Sequence, residues 1–282
     1  MKLIFIADFF LEHILGGGEL NNEELITILN DKGIEIFKHQ SHLMTVDFIN
    51  ENRDCKFIIG NFMNLREDCK TLLQSLPYVI YEHDHKYLKT RNPKQYPGFV
   101  APKNEIINYD FYKNARAVLC QSEFHTSIVK NNLNLDNIIN LSGNLWTPSS
   151  LQQLEAMLSK EKLNKCSILD SPIPHKNTRQ AVRFCEFKKK EYELISSSNH
   201  EDFLEKISNN KTFVFFPKTP ETLSRVVVEV RMMGMSVITN ELVGAALEPW
   251  YDKKGLDLIK EVNMMRDRIP NQILEVFDEK SL

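Results

Sequence analysis

Phe215-Phe-Pro-Lys-Thr-Pro-Glu221-Thr-Leu-Ser-Arg225-Val-Val-Val-Glu229-Val-Arg-Met-Met-Gly234-Met-Ser-Val-Ile-Thr-Asn240 is the stretch on which the fold turns. An apolar run ends in a Pro-Lys-Thr-Pro turn, and Leu223, Val226, Val227 and Val230 then recur at helical spacing. Gly234 supplies the residue type that closes helices, and a β-branched run begins three positions later. Strand, helix and strand in this order form one βα unit of a parallel sheet. The spacing predicts a helix over Glu221–Met233, with Thr219 as N-cap, Pro220 in the first helical position and Glu221 as a first-turn acid. On that helix, at ~100° per residue, Glu221 and Glu229 stand about 80° apart and off the apolar face.

The same alternation runs through the whole chain. Short runs rich in Ile, Val and Phe occur at Leu3–Ala7, Ile34–Lys38, Lys56–Gly60, Tyr78–Glu82, Ala117–Gln121 and Ile138–Ser142. Helical segments are expected between them at Glu19–Leu29, Leu65–Leu76, Ile106–Asn114 and Glu123–Asn131. A second series has strands at Cys166–Leu169, Tyr192–Ile195, Thr212–Phe216 and Ser236–Thr239. Apolar strands without alternation belong to parallel sheets covered on both faces. The expected fold class is therefore α/β, with two Rossmann-like domains, residues 1–148 and 149–282. The turn at Trp146-Thr-Pro148-Ser-Ser150 marks the boundary. Polar residues gather just after the strands, among them Asp8, Asn61, His83-Asp84, Ser171, Lys218 and Asn240. Ligands of open α/β sheets bind beyond those carboxyl ends, so two such edges facing each other would frame a polar cleft.

The bulk properties exclude more than they select. The chain has 282 residues, 26% charged and 42% hydrophobic, with a net charge of −3. That balance gives no global case for nucleic acid or an anionic membrane. Asp8 and Glu12 interrupt the first apolar run too early for a signal peptide, and no run approaches the ~20 apolar residues of a membrane span. The five cysteines are scattered without a CxxC pair, which fits reduced thiols in a cytoplasmic protein better than a zinc site.

Glu221, seven residues and Glu229, followed by an apolar stretch, a small residue and a strand, resembles the donor-binding segment of GT-B glycosyltransferases, close to family 4. The resemblance implies two Rossmann-like domains facing each other across a cleft, with the helices around Trp250–Phe277 returning towards the first domain. It implies retaining, metal-independent transfer from a nucleoside-diphosphate sugar, which is a co-substrate, with no cofactor. Glu221 would hold hydroxyls of the transferred sugar and Glu229 those of the ribose, work suited to carboxylates that accept two donors each. Lys176, in His175-Lys176-Asn177, matches the lysine that neutralises the donor diphosphate. The family's nearby arginine is missing at Ser171, with Arg179 or Arg225 as substitutes. Thr222 and Ser224 stand where glycine is common. Gly16-Gly17-Gly18 matches a Gly-rich loop near the donor phosphate. Read without the family, the three glycines permit close approach of an anion to a helix start, or they answer a need for positive φ.

Tyr81-Glu82-His83-Asp84-His85 leaves several readings open, one of them His83 and His85 as half of a transition-metal site for which the spacing offers no third ligand. His83 matches a family histidine that lines the cleft near the reacting sugar. Glu82 and Asp84 form an acid-x-acid triplet, which in a metal-dependent GT-A-like transferase would hold a divalent cation. A strand-end histidine with only a structural hydrogen bond is another. Residues 86–103 then carry Lys86, Lys89, Arg91, Lys94 and Lys103 without an acid, interleaved with Tyr87, Tyr96 and Phe99. A solvated loop accounts for this, and so does a peripheral surface for a membrane or an anionic acceptor. The acceptor itself, whether glycan, lipid or protein, is not specified. A catalytically silent protein that binds sugar nucleotides or glycans is the further alternative.

Overall fold

The computed structural model describes residues 1–278. The chain divides into two compact units, one of Met1–Trp146 with the stretch from Met265, the other of Thr147–Met264. In the first unit, β1 (Lys2–Ala7), β2 (Glu35–Gln40), β3 (Lys56–Ile59), β4 (Tyr78–Tyr81), β5 (Val118–Cys120) and β6 (Ile138–Asn140) make one sheet. Its order is β2-β1-β3-β4-β5-β6, and every pairing is parallel. The crossovers contain α1 (Gly17–Asp31), α2 (Val46–Glu51), α3 (Glu67–Leu73), α4 (Tyr109–Lys113) and α5 (Glu123–Leu133). Leu3 through Ala7 are all buried, which is why β1 reads as an unbroken apolar run. Ile4, Ile6, Phe57, Ile59, Tyr78 and Ile80 belong to the core cluster beneath these helices.

The second unit opens with α6 (Pro148–Ala156), whose Thr147 side chain accepts from the Ser150 amide as the N-cap. It continues through β7 (Leu163–Leu169), α7 (Thr178–Phe187), β8 (Tyr192–Ile195), α8 (His200–Ile207), β9 (Asn210–Phe215), α9 (Arg225–Met232) and β10 (Ser236–Thr239). The strand order is β10-β9-β7-β8, again all parallel. The division between the units falls inside the last helix, α10 (Leu256–Asp278). The last four positions of the 149–282 segment lie outside the described residues. All five cysteines are buried free thiols. No described helix is long and apolar enough to cross a membrane.

Two elements differ from the sequence reading. The short helix α2 was not expected; Thr45 caps it by accepting from the Phe48 amide. More consequentially, α9 begins at Arg225 and not at Glu221. Ser224 sits at φ 75°, ψ 85°, a left-handed conformation that an α-helix cannot run through. Before it, Glu221 makes an isolated bridge and Thr222 and Leu223 bend. The Glu221 amide donates to the Leu242 carbonyl (2.8 Å), and the Gly244 amide donates to the Glu221 carbonyl (2.9 Å), forming a parallel bridge opposite Val243. Gly234, at φ 78°, ends the helix as its position predicts.

Candidate active site

In the second unit the chain passes from β7 outward to β8, then returns to the other side of β7 to form β9. The loops leaving β7 and β9 thus diverge at a topological switch point, where open α/β sheets bind ligands. Three hydrogen bonds join those loops. Lys176 Nζ donates to Glu221 Oε1 at 2.8 Å, the Lys218 amide to the His175 carbonyl at 2.8 Å, and Asn177 Nδ2 to the Phe216 carbonyl at 2.8 Å. The Lys176 and Glu221 side chains are 24% and 14% exposed, so the pair is reachable from solvent but mostly desolvated. Glu221 therefore owes its position to the bridge with β10's following loop, and its charge is balanced by a lysine rather than by a helix dipole.

Beside this pair is a pocket of about 440 Å³ lined by Ser171, Pro174, Asn177, Thr178, Arg179 and Lys218, with Ile173 and Val182 as its apolar part. It lies at the first turn of α7. The residue before that helix, Asn177, is left-handed at φ 58° and gives no side-chain cap, so the helix start is open to an anion. Arg179 and Lys218 add two cations. Glu229 lies on α9 with its side chain only 1% exposed, 3.4 Å from His200 Nε2 and 3.7 Å from Arg225 Nε. His200 opens α8 and titrates above the ordinary imidazole range, chiefly because of its hydrogen bond to Glu229.

The first unit gathers Gly17, Gly18 and His83. None of Gly16, Gly17 and Gly18 has positive φ, which corrects the strained-loop reading of that run. Gly17 and Gly18 instead begin α1 after an extended Gly16. Gly18 lies beside the imidazole, where a Cβ would make an ordinary 3.7 Å contact with His83 Cγ, so the close approach does not depend on the missing side chain. His83 Nε2 donates to Asn22 Oδ1 at 2.6 Å, while Gln121 Nε2 donates to His83 Nδ1. Burial lowers the His83 pKa to about 3, so the ring is neutral at physiological pH. Asp8, at the end of β1, accepts from the Met63 and Asn64 amides (both 3.0 Å) and from Ser41. One carboxylate thereby ties together the loops that follow β1, β2 and β3.

The acid-x-acid triplet is spent on other partners. Glu82 is fully buried, with Lys86 Nζ at 2.6 Å and the Tyr112 hydroxyl on its other oxygen. Asp84 accepts from Lys86 (2.8 Å) and from Arg91. Burial alone would raise its carboxyl, but these two cations hold it well below the usual range. Hard divalent cations need free carboxylate oxygens, so Glu82 and Asp84 do not fit the metal-site reading. The 86–103 segment changes too. Lys86 is buried, Lys89 lies 3.8 Å from Glu105, and Arg91 pairs with Asp84, so three of its five cations are balanced internally.

Four residues of this arrangement escaped the sequence reading: His200, Asn22, Gln121 and, as a lining cation, Lys218. His200 had a signal, since it starts a helix just after the polar run that follows Ile195. The asparagine and glutamine had none, because a buried amide looks like a surface residue in sequence.

The architecture matches solved structures along nearly its full length. The Anabaena protein HepE, crystallised with UDP and glucose, aligns at a TM-score of 0.58 with 12% identity, covering 99% of this chain and 100% of that one. A glycosyltransferase from Rickettsia africae aligns at 0.55 with 12% identity, covering 99% of each chain. The catalytic domain of Arabidopsis thaliana starch synthase IV, bound to ADP and acarbose, aligns at 0.56 with 8% identity, covering 99% and 92%. The fold is GT-B. No family model matches the sequence, and no curated protein matches it. At these identities the likeness concerns the fold alone.

Proposed function

We propose that this chain is a glycosyltransferase, similar to family 4, that moves a sugar from a nucleoside-diphosphate sugar to an acceptor with retention and without a metal. The observation that carries this reading is the Lys176–Glu221 pair at the switch point of the second unit, beside a pocket with two further cations. Glycosyl transfer releases a nucleoside diphosphate, and the developing charge must meet fixed positive groups. Lys176, Arg179, Lys218 and the open start of α7 are such groups, and Arg179 takes the place of the arginine missing at Ser171. Glu221 would exchange its lysine partner for sugar hydroxyls, and Glu229, oriented by His200 and Arg225, would accept from the ribose. The neutral His83 suits contact with a polar sugar hydroxyl rather than with a phosphate, and Gly17 and Gly18 suit close backbone approach.

The ligands of the solved neighbours make UDP and ADP the first nucleotides to try. The acceptor is open between glycan, lipid and protein. Phe9, Ile14 and Leu15, exposed in the loop between β1 and α1, favour one with an apolar portion.

The test is a thermal-shift screen with UDP, GDP, ADP and their sugars on the wild type, Lys176→Ala and Glu221→Ala. One nucleoside diphosphate is expected to raise the wild-type melting temperature, with the shift lost in Lys176→Ala. Its sugar is expected to lose affinity in Glu221→Ala while the free diphosphate does not. Turnover to free nucleoside diphosphate should persist in EDTA. The absence of a shift with every nucleotide would sink the proposal.

A further inference from the structure

The opposite edge of the second sheet holds a second concavity with a different character. Its lining is Leu158, Lys160, Lys162, Lys211, Met233, Gly234, Ser236 and Lys254, enclosing about 330 Å³. Lys162 immediately precedes β7, Lys211 is the second residue of β9 and Ser236 the first of β10. The pocket thus sits at the amino ends of three strands whose carboxyl ends carry the Lys176–Glu221 pair. At ~3.3 Å per residue, the length of β7 puts roughly 20 Å between the two places.

Half of the lining residues are lysines, and none is an acid. Surface lysines are ordinarily interspersed with carboxylates, which screen their mutual repulsion. The acids nearest in sequence are engaged elsewhere or outside the lining. Glu161, between Lys160 and Lys162 in sequence, is exposed and outside the lining, Glu261 pairs with Lys253, and Glu205 lies 3.7 Å from Lys160. Lys162 Nζ donates to the Met157 carbonyl (2.8 Å) and, at 3.4 Å, to the Lys160 carbonyl. Among the described residues, Lys254 donates to the Ser236 hydroxyl at 3.4 Å. The main-chain bonds fix Lys162 in place without cancelling its charge. Burial, together with Lys160 and Lys254, lowers the Lys162 pKa, and burial together with Arg231 lowers that of Lys254. Both ammonium groups therefore gain from an anion placed among them.

We propose that Lys160, Lys162, Lys211 and Lys254 form a binding site for a compact, multiply charged phosphate-type anion, separate from the donor site. Ammonium groups act as point charges toward phosphate oxygens. Four of them around one small concavity suit an anion of two or more charges better than a carboxylate. A net charge of −3 over the chain means that this patch is a local concentration against the global field.

Pyrophosphate is the probe, titrated by calorimetry and by thermal shift at fixed ionic strength. The variants are Lys211→Gln/Lys254→Gln, whose side chains make no main-chain bond among the described residues, and Lys176→Ala in the donor loop, separately and combined. In Lys176→Ala, which weakens occupancy of the donor loops, pyrophosphate is expected still to bind, and adding Lys211→Gln/Lys254→Gln to that variant is expected to weaken the remaining binding at least tenfold. The double variant keeps Lys162 and its carbonyl bonds, so its fold can be checked by an unchanged melting temperature without ligand. Undiminished pyrophosphate affinity when Lys211→Gln/Lys254→Gln is added to Lys176→Ala overturns the proposal. So does binding lost in Lys176→Ala alone, which would place the anion in the donor loops.

Discussion

At the scale of single residues, Glu229 decides how the second unit handles charge. Its carboxylate is almost completely buried and faces two groups of opposite character, the permanent cation of Arg225 and the titratable ring of His200. His200 is also flanked by Glu201 and stacked on Phe203. Because Glu229 raises the folded-state pKa of His200, the imidazolium is favoured by folding. That contribution is fully present below the unfolded value of about 6.5 and disappears as pH rises through the higher folded value. His200→Gln should therefore lower the melting temperature most at pH 5.5 and hardly at all at pH 9, and the pH dependence should vanish in Glu229→Gln. A deficit that stays constant across the range would mean that His200 acts by packing alone. Resemblance made Glu229 visible in the sequence. Its partner was hidden, because His200 comes from a helix on the far side of a βα crossover.

At the scale of elements, the start of α9 shows where sequence reasoning succeeds and fails. Thr219, Pro220 and Glu221 satisfy every local rule for a helix start, yet the helix opens four residues later, because Ser224 adopts a left-handed conformation. Serine gives no warning of this; glycine would have. A glycine at this position would meet the left-handed conformation without strain, and Ser224 carries the cost of lacking it. A left-handed L-residue costs ~1–2 kcal/mol, while glycine loses ~0.5–1 kcal/mol more in chain entropy on folding. The Ser224 hydroxyl is buried with no hydrogen-bond partner among the described residues, so its removal costs nothing further. Ser224→Gly is expected to stabilise by up to about 1 kcal/mol, a few degrees in melting temperature. A lower melting temperature would show that the hydroxyl is needed. The parallel strands, by contrast, were legible throughout; β1, β3, β4 and β5 are buried almost end to end and leave short, β-branched apolar runs at regular spacing. The site was legible only as residue types. Lys176 and Glu221 stood out separately, but their 2.8 Å contact depends on the strand order β10-β9-β7-β8, which no local pattern encodes.

At the scale of the molecule, the end of the chain completes the first unit. Arg266 donates to Glu24 on α1 and to the Trp146 carbonyl, and Arg268 to the Ser142 carbonyl at 3.1 Å. Lys56 and Arg116 reach the Phe277 carbonyl at 2.9 and 3.1 Å, two cations at the carboxyl end of α10, where the helix dipole favours them. More than a hundred residues separate these partners in sequence, so only the folded topology could reveal them. Glu24 has a side chain just 4% exposed, and its carboxylate is tolerable there because Arg266 meets it. Removing the cation alone strands a buried charge, which costs ~3–5 kcal/mol at full burial and somewhat less here, with Arg266 18% exposed. Removing both charges leaves only the packing difference. Arg266→Met should therefore destabilise the first unit by about 2–3 kcal/mol, and Glu24→Gln added to it should restore most of that. The check is urea unfolding followed by Trp146 fluorescence in a Trp250→Phe background, since Trp146 belongs to the first unit and Trp250 to the second. Equal stability of Arg266→Met and the parent would mean that the helix end is held by its apolar face, through Ile269, Ile273 and Phe277, and that the ion pair merely accompanies it.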